Sequence, residues 1–252
     1  MQPAPAIEVK ELAAGYGRTV ILENVSFRVP ARQVAVILGG SGCGKSTLLK
    51  HLIGLLPPLA GQIFLGGRDL AAARGTERLE LLRKFGVGFQ SGALFGSMTL
   101  SENVELALAE FTRLPPAARR EIAAIKLGLV GLSDARDKLP SEVSGGMQKR
   151  AAIARALALD PGLIFLDEPS AGLDPVTSAG LDDLILRLRE AVGVTFVVVT
   201  HELASIYAIA DRAIMLDKSA KGIIADGKPA DLRDSSADPR VRAFFLRKAS
   251  DA

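Results

Sequence analysis

Nine consecutive residues, Gly39-Gly40-Ser41-Gly42-Cys43-Gly44-Lys45-Ser46-Thr47, have the spacing G-x-x-x-x-G-K-[ST] between an apolar run and a helical pattern. Glycines at this spacing let the backbone curl until successive N–H groups point at phosphate oxygens, and the helix that follows adds the positive end of its dipole. Lys45 supplies a point charge for the β- and γ-phosphates, and the Ser46 hydroxyl a ligand for Mg²⁺. Such a loop needs a carboxylate to hold the metal, and Leu163-Ile164-Phe165-Leu166-Asp167-Glu168 places two where an apolar strand ends. Asp167 is the predicted Mg²⁺ partner; Glu168, outside the apolar run, is placed to polarise an attacking water. Ser144-Gly145-Gly146 opens a further helical run in which Ile153 and Leu157 stand one turn apart, making a second helix N-terminus able to face an anion.

These groups need elements that carry them to one edge. Short apolar runs alternate with helical patterns, the one-dimensional form of a largely parallel sheet wrapped by helices. Strands are predicted at Ile7–Leu12, Val20–Val29, Gln33–Leu38, Gln62–Leu65, Gly86–Gln90, Leu163–Asp167 and Val194–Thr200, with a helix at Lys45–Leu55 and a polar segment at Thr76–Lys84. Leu181, Leu184, Ile185 and Leu188 recur at i, i+3, i+4 and i+7, which predicts a helix between the last two strands. From Ser101 to Leu132 the pattern is helical, interrupted at Pro115 and Pro116, and reads as an inserted helical subdomain.

With 252 residues, 48% of them hydrophobic and 23% charged, the chain is composed as a globular protein with room for one large α/β domain. Its net charge of +3 suits anionic phosphates or lipid head groups without requiring either. A single cysteine, Cys43, excludes an intramolecular disulfide. Met1 to Lys10 lacks a basic stretch followed by an apolar one, so no export signal is expected. The apolar runs fall well short of the ~20 residues that span a bilayer, so any membrane role is expected to be borrowed from partners.

Taken in order, the motifs resemble the ABC ATPase family, whose signature Leu-Ser-Gly-Gly-Gln corresponds here to Val143-Ser144-Gly145-Gly146-Met147. The resemblance covers nearly the whole chain. It implies an ABC-type P-loop fold: a mixed sheet with an antiparallel β edge, a core at about residues 1–90 and 160–235, a helical subdomain at about 91–159 and a helical tail at about 236–252. It also implies a head-to-tail homodimer in which the signature of one copy closes over ATP held by the phosphate loop of the other. Tyr16, in Gly-Tyr-Gly, resembles the aromatic that stacks on adenine, although a lone Tyr there fits strand packing equally well. Gln90 resembles the Q-loop residue that meets Mg²⁺ and the lytic water, Asp174 in Ser170-Ala171-Gly172-Leu173-Asp174 the D-loop acid at the dimer interface, and His201 the switch histidine at the γ-phosphate. His51, inside the helix after the phosphate loop, reads as structural.

A narrower resemblance rests on Phe89-Gln90-Ser91-Gly92-Ala93-Leu94-Phe95, Ser144-Gly145-Gly146-Met147-Gln148-Lys149-Arg150 and Asp167 through Ile185. These stretches, and Asp238-Pro239-Arg240-Val241-Arg242-Ala243-Phe244-Phe245, are similar to the ATPases of MCE-type lipid transporters, the Mla and organic-solvent-tolerance systems. That likeness implies phospholipid as cargo, permease subunits, a periplasmic MCE protein, a STAS-domain partner, and a place on the cytoplasmic face of the bacterial inner membrane. No nucleic-acid partner is expected. A DNA-repair ABC protein would carry long heptads and a translation factor a second cassette, whereas an ABC transporter of another substrate differs only outside these motifs. Leu94, Phe95, Met98 and Leu100 are expected either to line a permease groove or to pack in the core. Val241, Phe244, Phe245 and Lys248 share a possible helical face expected to dock on the chain's own domain. Cys43, inside the loop, reads as a small filler; alkylating it is expected to obstruct ATP binding, with ATP protecting the thiol.

Overall fold

The computed structural model describes residues 4–247. Two strands open the chain, β1 (Ile7–Tyr16) and β2 (Thr19–Val29). Ile7, Val9, Leu12, Leu22, Val25 and Phe27 are buried, alternating with more exposed positions except where the ladder shifts register around Leu12, the pattern of a sheet with one face in a core. β3 (Val34–Gly39) is buried at all six positions and leads into helix α1 (Lys45–Leu52). Then come β4 (Ala60–Leu65), β5 (Arg68–Asp69), α2 (Gly75–Leu82) and β6 (Phe85–Gly88).

Helices α3 (Leu100–Phe111), α4 (Pro116–Leu129) and α5 (Gly145–Ala156) follow, and their starts are written in the sequence. Thr99 caps α3 in a capping box with Glu102, Pro116 opens α4, and Ser144 caps α5 by accepting from Met147 N–H. The remainder is β7 (Leu163–Asp167), α6 (Pro175–Val192), β8 (Thr195–Val199), α7 (Leu203–Ile209), β9 (Arg212–Asp217), β10 (Gly222–Gly227), α8 (Pro229–Ser235) and α9 (Pro239–Phe245).

Two sheets result. β2-β1-β4-β5 is antiparallel; β10-β9-β3-β8-β7-β6 is parallel except for β10, which pairs antiparallel with β9 at the edge. The fold is thus α/β with a mixed sheet, and most of the antiparallel strands expected from sequence form a sheet of their own. Successive residues of the central strands enter opposite cores. Val34, Val36, Phe196 and Val198 pack with α3 to α7, whereas Ala35, Ile37, Val197 and Val199 pack with α1 and the antiparallel sheet. This double burial explains why β3 and β8 read as continuous apolar runs.

Several boundaries move. α1 ends at Leu52 because Gly54 turns into left-handed backbone at φ +71°. The polar segment after β5 is α2, and Gln90 lies in a loop beyond β6. Strands β9 and β10 were not predicted: Arg212–Asp217 is short and has polar ends, and pairing with β3 on one side and β10 on the other makes it a strand. Val241 and Phe245 are buried in the core and Phe244 packs partly against it, so α9 docks on its own domain as expected; Lys248 lies outside the described residues. Leu100 is a core residue, whereas Phe95 is exposed. Among the described residues, no helix is long and apolar enough to cross a membrane.

Candidate functional site

The loop from Gly39 to Gly44 is shaped by close approach as much as by flexibility. A Cβ on Gly39, at φ +145°, would lie 2.3 Å from the Leu216 carbonyl oxygen, so only glycine lets β3 leave the sheet past β9. Gly44, at φ +102°, caps α1. Lys45 Nζ donates to the Gly39 and Gly40 carbonyls at 2.9 and 3.1 Å, folding its side chain back over the loop, and Ser46 stands exposed in the first helical turn. Cys43 belongs to the loop by its backbone alone. Its thiol is 2% exposed and packs under Gly39, and burial raises its pKa, against the pull of Lys45. Burial fits the reading of Cys43 as a small filler of the loop and works against attack by an alkylating agent.

Parallel pairing of β3, β8 and β7 carries three strand ends to this edge, as open α/β sheets do at their carboxyl ends. Asp167 ends β7. Its Oδ1 is buried without a hydrogen-bond partner, and burial, then the neighbouring Glu168, pushes its pKa up, while Lys45, Lys50 and Lys149 oppose the rise. A buried carboxylate oxygen left unpaired among cationic side chains fits a divalent cation shared with phosphate oxygens. Glu168 takes φ +46°, left-handed backbone that a non-glycine residue enters at a cost, held by its N–H donating to the Val199 carbonyl at 2.8 Å. That turn points the carboxylate at His201, whose Nδ1 lies 2.8 Å from Glu168 Oε1.

Tyr16, at the end of β1, is 43% exposed, which favours an open ring face over strand packing. Its hydroxyl accepts from Thr47 Oγ1 at 3.4 Å and Lys50 Nζ at 3.2 Å, both on α1, and these contacts hold its pKa below the usual phenol value. Gln90 is exposed, and its carbonyl accepts from Lys149 of α5. Arg155 of the same helix donates to the Ala93 and Gly92 carbonyls at 2.6 and 3.0 Å. The loop after β6 is thus tied to the helix that Ser144, Gly145 and Gly146 begin. Asp174 caps α6, accepting from Val176 N–H, Thr177 N–H and Thr177 Oγ1. Among the described residues, no hydrogen bond joins Ser144, Gly145 or Gly146 to the phosphate loop.

The sequence model of the family described as ABC transporter matches residues 22–171, which hold the phosphate loop, the Ser144-led helix and both carboxylates. The chain belongs to the ABC transporter family. Among relatives in this ABC transporter family, the intermembrane phospholipid transport system ATP-binding protein MlaF of Haemophilus influenzae is 42% identical over 97% of this chain and 91% of its own length. The probable ribonucleotide transport ATP-binding protein mkl of Mycobacterium leprae is 44% identical over 95% of this chain; the chain spans 68% of that relative's length. In three dimensions the chain is similar to the ATP-binding cassette MJ0796, solved as a dimer bound to ADP and Pi, with a TM-score of 0.76 and 31% identity over 88% of this chain and 98% of that one. As an ABC transporter family member, the chain is an ATP-binding cassette.

Sequence reasoning missed Lys149 and Arg155. A cation in a helix usually serves a solvated face, and only packing of α5 beside β6 reveals the carbonyls they serve. That packing needs Gly86, where a Cβ would lie 2.1 Å from the Ala156 carbonyl oxygen. A cleft of about 720 Å³ is lined by Glu168, Gly172, His201, Ala243, Phe244 and Arg247 among others.

Proposed function

We propose that this chain is the ATP-hydrolysing subunit of a membrane transporter that moves phospholipid between the inner and outer membranes, working as a homodimer beneath permease subunits. The observation that carries the hydrolytic half is the strand edge where Lys45, the unpartnered Asp167 and the Glu168–His201 pair meet. The cargo rests on the likeness to MlaF along nearly the full length of both chains.

The loop N–H groups and Lys45 bind the phosphates, Lys45 exchanging its two carbonyl partners for phosphate oxygens. Ser46, Asp167 and Gln90 are the residues that would hold Mg²⁺, which supplies neutralisation of phosphate charge. Tyr16 stacks on adenine. Glu168 accepts a hydrogen bond from the attacking water, and His201 orients that carboxylate and reaches the γ-phosphate. Ser144, Gly145 and Gly146 of the partner copy, with its Asp174 at the interface, complete the charge stabilisation, so hydrolysis waits on dimer closure. The dimeric cassette holding ADP and Pi supports this arrangement.

Helices α3 to α5, with the exposed Phe95, form the surface for the permease, and the assembly places this chain on the cytoplasmic face of the inner membrane with a periplasmic MCE protein and a STAS-domain partner. Purification of the tagged chain from detergent-solubilised membranes tests the reading. Recovery of a permease, an MCE protein and phospholipid supports it. Recovery of a solute-binding protein, or ATPase activity of the complex stimulated by a ribonucleotide other than ATP, the class named for the mycobacterial relative, would replace the cargo.

A further inference from the structure

Helix α1 holds more than the phosphate-binding Lys45 and Ser46. Thr47, Lys50 and His51 lie at i, i+3 and i+4, one face of the helix, and all three reach the hairpin that carries Tyr16. The first two hold the phenol hydroxyl, and the Lys50 ammonium stands 5.4 Å from the ring centroid. His51 reaches past them to the backbone. It is 1% exposed, and its Nε2 lies 3.0 Å from the Gly15 amide nitrogen and 3.2 Å from the Gly15 carbonyl oxygen, so the Nδ1–H tautomer accepts from that N–H and the Nε2–H tautomer donates to that carbonyl.

That N–H has few alternatives. The β1–β2 ladder shifts register between Ala14 and Gly15, and a Cβ on Gly15 would lie 1.9 Å from the Thr19 carbonyl oxygen, so the turn is too tight to rearrange around a side chain. In the tautomer whose Nε2 accepts from Gly15 N–H, the ring proton sits on Nδ1, which is buried without a hydrogen-bond partner. Burial lowers the imidazole pKa and keeps the ring neutral, the form that can accept.

We infer that His51 is a positioning residue for the nucleotide base: its Nε2 fixes the Gly15-Tyr16 turn to the same helix whose first turn grips the phosphates. The inference rests on the reading of Tyr16 as the base platform. Base and phosphate subsites become one rigid unit, so the distance between them is set before ATP arrives and little is lost in ordering the turn on binding.

Binding of ATP and of inorganic tripolyphosphate to the full chain, each with Mg²⁺, separates this role from general support of the fold. His51→Leu keeps volume but removes the acceptor; ATP affinity is expected to fall about ten-fold, while tripolyphosphate affinity stays within about two-fold. His51→Gln, which returns an acceptor near the same place, is expected to restore most of the ATP affinity. Equal weakening of both ligands in His51→Leu, or no change in either, overturns the inference. Tyr16→Ala identifies which reading has failed: if it leaves the ratio of the two affinities unchanged, the base platform itself is wrong; if it shifts the ratio and His51→Leu does not, the positioning role alone is wrong. Amide exchange in the unaltered chain gives a readout independent of any variant. Gly15 N–H is expected to be protected, and free exchange at Gly15 overturns the inference.

Discussion

His201 Nδ1 stands 2.8 Å from Glu168 Oε1, joining the second residue after β8 to the first residue after β7 across two paired strands. Glu168 is largely buried, with 13% side-chain exposure, whereas His201 is 68% exposed, so the contact orients the acid without sealing it from an entering water. Glu168→Gln keeps the shape and removes the base. Turnover is expected to fall by ~10²- to 10⁴-fold, with ATP-loaded dimers accumulating in size-exclusion chromatography. Lys45→Ala, by contrast, is expected to weaken ATP binding by about ten-fold or more and leave the chain monomeric. Unchanged turnover in Glu168→Gln removes the assigned role.

Cys43 gives a test of how closed the phosphate loop is. Its thiol packs under Gly39 and burial disfavours the thiolate, the reactive form. Maleimide labelling of the folded chain is expected to run at least ~10-fold slower than in urea, with or without ATP. Rapid stoichiometric labelling in buffer, followed by mass spectrometry, would show that the loop opens.

Asp182 on α6 is buried beside Ser205 of α7, whose Oγ donates to Oδ2 at 2.9 Å. Burial pushes its pKa up to about 6, opposed by the Ser205 bond and reinforced by Glu202 and Asp183. The unfolded value lies near 4, so the folded chain binds this proton more readily, and stability falls as pH rises from about 4 to about 6. Above that window the full cost of the buried charge is present. Asp182→Asn, which retains an acceptor for Ser205, is expected to stabilise the chain by about 1–3 kcal/mol at pH 8 and by little at pH 4. Denaturant unfolding at the two pH values checks the sign; a destabilised variant at pH 8 would mean that the carboxylate has a charged partner.

The phosphate loop, the strand-end acids and the helix caps were legible because their chemistry is local. Gly44 before Lys45 and Ser144 before Gly145 each declare a helix start within a few residues. β3, β7 and β8 were legible for a different reason: burial on both faces leaves an unbroken apolar run. β9 and the Lys149–Gln90 contact were not legible, since the former depends on pairing with β3 and the latter joins residues 59 positions apart.

Sequence alone determined which groups could bind phosphate and metal, because residue type and spacing within a turn or two fix what a short backbone segment can present. Tertiary structure decided which of them meet. Parallel register puts His201 on Glu168, packing under Gly39 buries the Cys43 side chain while its backbone stays in the phosphate loop, and one face of α1 joins Tyr16 to that loop. Those outcomes depend on contacts between elements distant along the chain, which no local pattern of residues encodes.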